Sequence, residues 1–109
     1  MANPQKGEVA LQIGEKSLTM RFGRNELAAA EKVLGKTWPE IVAEMDSESA
    51  GFSTIIGLVW ASLQRNHPGM TLFDVGDLLD ALSDDALVGE KITEALNLAF
   101  PKAAAGNPQ

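Results

Sequence analysis

The sequence predicts an α+β fold, mainly helical, with an N-terminal β-hairpin followed by a bundle of about four to five helices. Residues 8–22 alternate apolar and polar side chains, the period of a half-buried strand. From residue 24 onward apolar side chains recur at helical spacing, and capping, proline or glycine signals separate the runs. At 109 residues the chain is one domain by length and can bury roughly two thirds of its unfolded surface.

Residues 1–7 carry Pro4, Lys6 and Gly7 and are expected to be a flexible lead-in to a globular domain spanning 8–100. Val9, Leu11 and Ile13 fall on one side of the first strand, and Leu18, Met20 and Phe22 on one side of the second. Gly14-Glu15-Lys16 supplies the turn. A two-stranded hairpin is marginal alone in water, so it must lay its apolar face on helices or pair its edge with another strand. Both uses are open, because face and edge are different surfaces.

Gly23 ends the hairpin, and Asn25 can cap a helix running to Leu34, with a start one or two residues earlier equally compatible. Leu27, Ala30, Glu31 and Leu34 share a side, and Gly35 sits where a left-handed C-terminal residue is wanted. Thr37-Trp38-Pro39-Glu40 is a capping box opening a short helix with Ile41 and Met45 aligned. Residues 46–49 are polar and read as a loop.

The central helix is expected over Gly51–Asn66. Phe52, Ile55, Ile56, Val59, Trp60 and Leu63 form a stripe that faces the core, with Leu58 and Ala61 on its flanks. Asn66-His67-Pro68-Gly69 stops it. Thr71 caps the next helix, with Asp74 at the reciprocal position and Met70 and Val75 spaced as a hydrophobic staple. Leu72, Val75, Leu78, Leu79 and Leu82 are its inner side; Asp74, Asp77 and Asp80 fall largely opposite. Ser83 is the expected cap of a last helix carrying Val88, Ile92, Ala95, Leu96 and Ala99, ended by Pro101. Residues 101–109 read as a flexible tail.

Net charge is −6, distributed unevenly: residues 1–24 hold four cations against two carboxylates, the remainder five against thirteen. An acidic body repels nucleic acid and anionic membrane, so neither is an expected partner. No apolar run approaches the ~20 residues of a bilayer span, and the start is not a secretion leader. The cytoplasm is the expected location.

Candidate chemistry is sparse. Without cysteine there is no disulfide, thiol nucleophile or cysteine-ligated metal. His67, the one histidine, cannot complete a usual zinc set and has no sequence-nominated partner for base catalysis. Asp74, Asp77 and Asp80 are spaced by three, as on a solvated helix surface, rather than in the alternation of a calcium loop. Asp46-Ser47 matches the dipeptide on which acyl carrier proteins mount their prosthetic group, but Glu48 and the leading hairpin do not fit that class. Phosphate-loop and hydrolase-elbow motifs are missing. No catalytic residue, cofactor or metal site is expected.

The order of elements carries a resemblance. Gly7-Glu8-Val9, the hairpin with Gly14, Leu18-Thr19-Met20-Arg21-Phe22-Gly23, and the helix ending Ala30-Glu31-Lys32-Val33-Leu34-Gly35 are its first half. Leu58-Val59-Trp60-Ala61-Ser62-Leu63, His67-Pro68, and Thr71-Leu72-Phe73-Asp74-Val75-Gly76-Asp77-Leu78-Leu79 are its second. Together they resemble the small tail assembly chaperones of gene transfer agents and related tailed phages, over about residues 7–100. The resemblance implies a non-enzymatic protein of the bacterial host cytoplasm that holds the tape-measure protein while tail-tube subunits polymerise around it. It also implies a gene near the tape-measure gene and absence from the finished particle. A tail structural or completion protein retained in the particle, or an unrelated small helical adaptor, are the alternatives. In a chaperone, Val9, Leu11, Ile13, Leu18, Met20, Phe22, Phe52 and Trp60 are candidates for a partner or self-association surface, with plain core the alternative for each, and the hairpin edge for joining copies into a homo-oligomer.

Overall fold

The alternating segment folds as an antiparallel hairpin of β1 (Glu8–Ile13) and β2 (Lys16–Arg21). Ile13 pairs with Lys16, so the turn is the two residues Gly14 and Glu15, with Gly14 at φ +60°. The computed structural model describes residues 3–47, 49–82 and 85–100. Five helices follow the hairpin: α1 (Arg24–Leu34), α2 (Trp38–Asp46), α3 (Phe52–Leu63), α4 (Leu72–Asp80) and α5 (Asp85–Ala99). The protein is therefore α+β and mainly helical. The expected Ser83 cap, Pro101 and the tail of residues 102–109 lie outside the described residues.

The lead-in is structured from Asn3. Pro4–Lys6 is a single 3-10 turn, with the Asn3 side chain accepting from the Gln5 amide. The Asn3 carbonyl accepts from Glu8 N at 3.0 Å, and the Lys6 carbonyl accepts from Arg21 Nε at 3.0 Å, tying the turn to both strands.

Capping explains most helix boundaries. α1 begins two residues earlier than an Asn25 cap requires: Gly23 is the N-cap, its carbonyl accepting from Leu27 N at 2.9 Å. Gly35 ends it at φ +67°. In α2, Thr37 N donates to Glu40 Oε1 (2.8 Å) while Glu40 N donates to Thr37 Oγ1. Thr71 and Asp74 form the same reciprocal pair at α4, at 2.9 and 3.1 Å. Both capping boxes are complete, so an aspartate serves where glutamate is commoner.

α3 is the axis of the body: α1 and α4 pack on it, and with α5 it covers the inner face of the hairpin. The buried set differs from the expected stripe. Val59 and Leu63 are buried as expected, but so are Thr54, Gly57, Leu58, Ala61 and Ser62. Ile55, Ile56 and Trp60 are only partly buried, and Phe52 is 88% exposed. The C-terminal half of α3 is enclosed on nearly all sides. Phe52 shares the angular face of Val59, seven residues on. It stands in the first turn, where Thr54 on the opposite face is buried and Phe52 is not. The helix also ends at Leu63, with residues 64–66 in a turn.

α4 departs similarly. Val75 is fully buried and Leu78, Leu79 and Leu82 pack partly against the core, but Leu72 is 37% exposed rather than on the inner side. α5 follows its spacing, with Val88, Ile92 and Ala95 buried.

Candidate functional site

The first site to consider is the hairpin, and the structure corrects it. Val9, Leu11, Ile13, Leu18, Met20 and Phe22 are all at most 5% exposed and lie in the core. Their alternation places them on the one face that α3 and α5 cover, so none is a surface side chain. Trp60 is also committed internally: it packs against the core and its indole Nε1 donates to the Met70 carbonyl at 3.1 Å. Of the expected surface set only Phe52 faces solvent.

The edges of the hairpin differ. Residue pairs 13/16, 11/18 and 9/20 exchange the ladder bonds, so the amide of Thr19 points outward. It donates to His67 Nε2 at 3.0 Å, across 48 residues. His67 thus covers the β2 edge, its Nε2 accepting from the outward amide. On β1, Asn3 caps Glu8, while Ala10 and Gln12 face outward with exposed side chains.

A contiguous apolar surface lies elsewhere, where α1, α3 and α4 meet. Phe52 and Phe73 are 88% and 85% exposed, and Val33 and Leu72 add further apolar area. Phe52, Phe73, Val33, Leu34, Ile56 and Leu72 line a groove of about 670 Å³, together with the exposed Asp77 and Asp80. Behind Phe52 a second hollow of about 360 Å³ runs between α3, α4 and α5 over Ile55, Leu79 and Val88. Phe73 was not among the expected site residues. Its signal was available: Phe73 and Val75 are two apart on one helix, hence about 200° apart, so burying Val75 turns Phe73 outward.

Two ionic clusters hold the elements that shape this groove. Lys36 Nζ donates to Glu44 Oε2 and to Thr54 Oγ1 (3.1 Å), and Thr54 Oγ1 donates to Glu44 Oε1 at 2.7 Å. This triangle joins the end of α1 to α2 and to buried Thr54 on α3. The Lys36 ammonium, followed by the Thr54 hydroxyl, holds the Glu44 carboxyl below the ordinary carboxylate range. At the other end of α3, the buried Glu26 carboxylate accepts from Arg65 Nε at 3.1 Å and pairs with Arg21 Nη1 at 3.4 Å. Arg24, the remaining arginine of the chain, lines the same cleft. The capping amide of Thr71, then its hydroxyl, hold Asp74 low in the same way.

No family model, curated protein or solved structure matches the chain.

The groove walls are predominantly apolar, with Asp77 and Asp80 among the lining residues. Among the described residues no group of His, Asp or Glu could hold a metal ion, and no helix is long and apolar enough to cross a membrane.

Proposed function

We propose that this protein is a non-enzymatic tail assembly chaperone of a prophage or gene transfer agent, binding the tape-measure protein in the host cytoplasm during tail assembly. The ordered resemblance over residues 7–100 motivates the reading. The observation that carries it is the pair of solvent-exposed phenylalanines, Phe52 and Phe73, on an open apolar groove. Exposing two large aromatic side chains in a body able to bury Phe22 completely has no folding benefit, and such patches mark interaction sites. A long helical partner presents an amphipathic face suited to such a groove. Many copies along one partner would gain avidity from effective concentration, so each contact can be weak.

The test is co-expression with the long helical reading frame expected downstream of its gene. Affinity-tagged wild-type protein should retain tape-measure fragments, Phe52→Ser/Phe73→Ser protein should not, and purified particles should lack the chain. Presence in particles at fixed stoichiometry would instead assign it to the tail structure, and failure to retain any tape-measure fragment would overturn the proposal.

A further inference from the structure

We infer that the Phe52–Phe73 groove is built for a helix with a basic flank: an amphipathic segment whose apolar stripe seats on the two phenylalanines while lysines or arginines beside it meet Asp77 and Asp80. The inference rests on the reading of this groove as a partner site and names the chemistry of its occupant.

Phe73, Asp77 and Asp80 stand at i, i+4 and i+7 of α4 and therefore share one helix face, an aromatic anchor followed by two carboxylates. Both aspartates are exposed and line the groove. Neither pairs with a cation among the described residues, whereas Glu26, Glu44 and Glu94 do. Two like charges along one apolar groove repel each other and an acidic ligand, and favour a cationic one.

The floor of the adjoining hollow points the same way. Gly76 and Gly89 lie inside α4 and α5, where glycine is disfavoured relative to alanine. A Cβ at Gly89 would meet nothing within 4 Å, and one at Gly76 only Ile56 Cδ1 at 3.7 Å. Packing among the described residues therefore requires neither glycine. Both line the hollow behind Phe52, where a bare helix backbone admits close approach by a second helix.

The experiment uses the full chain and two synthetic amphipathic peptides of about 18 residues with the same Leu/Phe stripe, one flanked by lysine and one by glutamate. Fluorescence anisotropy should show the lysine-flanked peptide binding about tenfold tighter, with the ratio shrinking as salt rises. Asp77→Asn/Asp80→Asn should bring the ratio close to one, and Phe52→Ser/Phe73→Ser should weaken both peptides by at least about tenfold. Circular dichroism should be unchanged in each variant, since all four side chains are exposed. Equal affinity of the wild type for both peptides would overturn the inference, as would binding insensitive to the phenylalanine substitutions. So would sedimentation showing wild-type dimers that the same substitutions dissociate, because the occupant would then be a second copy. Flank-selective binding without capture of tape-measure fragments would sink the chaperone reading and leave this one standing; capture without flank preference would do the reverse.

Discussion

Glu26 makes the sharpest test of how this fold is held. It is the buried partner of its cluster, with a side chain 5% exposed against 31% for Arg21 and 47% for Arg65. The asymmetry decides which deletion costs more. In Glu26→Met the two guanidinium groups are left, but both already reach water and can re-solvate, so the loss should be about 1–2 kcal/mol. In Arg21→Met/Arg65→Met the aliphatic stems are kept while the carboxylate stays buried without either of its paired cations, Arg24 alone being left in the cleft, which should cost about 3–5 kcal/mol. The triple methionine variant removes the stranded charge and should be more stable than the double variant, although it carries one more substitution. Urea denaturation with a constant m-value measures all three, and each kcal/mol corresponds to about 4–8 °C in melting temperature for a domain near this size. A triple variant less stable than the double one would refute the reasoning. Gly23 adds a check on position: a Cβ there would lie 2.9 Å from Glu26 Oε1 and 3.0 Å from Arg21 Nη1, so Gly23→Ala must displace this same cluster.

Leu58→Ala, at a fully buried site off the expected stripe of α3, should cost about 2–5 kcal/mol, whereas Phe52→Ser, on that stripe but exposed, should stay within about 0.5 kcal/mol of wild type in the same denaturation assay. His67→Ala removes the acceptor of the Thr19 amide; stability should fall by about 0.5–1.5 kcal/mol, and hydrogen exchange at Thr19 should accelerate selectively. Because Lys36 and then Thr54 lower the folded-state pKa of Glu44, the stability this contributes is present above the unfolded-state pKa and is lost as pH falls through the folded value. Denaturation midpoints followed downward from about pH 5 should therefore fall more steeply for wild type than for Glu44→Gln.

Local signals in the sequence were sufficient wherever the deciding contact spans a few residues. Thr37 with Glu40 and Thr71 with Asp74 close their boxes within one turn, so the starts of α2 and α4 were legible. Gly35 ends α1 because only its own backbone conformation matters there. The alternation of Val9, Leu11 and Ile13 against Leu18, Met20 and Phe22 identified the strands and their common inner face. Of the two readings open for those six side chains, core rather than partner surface is the outcome, for the same reason that the hairpin folds: the apolar face of a two-stranded sheet is the part its own helices must cover.

The sequence by itself determined the element types, their order and most of their boundaries, because backbone hydrogen bonding and capping are settled between near neighbours. Only the tertiary structure decided which apolar residues go inside. α3 is apolar around most of its circumference, so periodicity could not rank Phe52 against Leu58; the face that packing turned inward, that of Thr54, Gly57, Leu58, Ala61 and Ser62, did so. The same holds for Glu26 with Arg65, 39 residues apart, and Thr19 with His67, 48 apart: side chains so distant meet only after packing has placed their helices and strands.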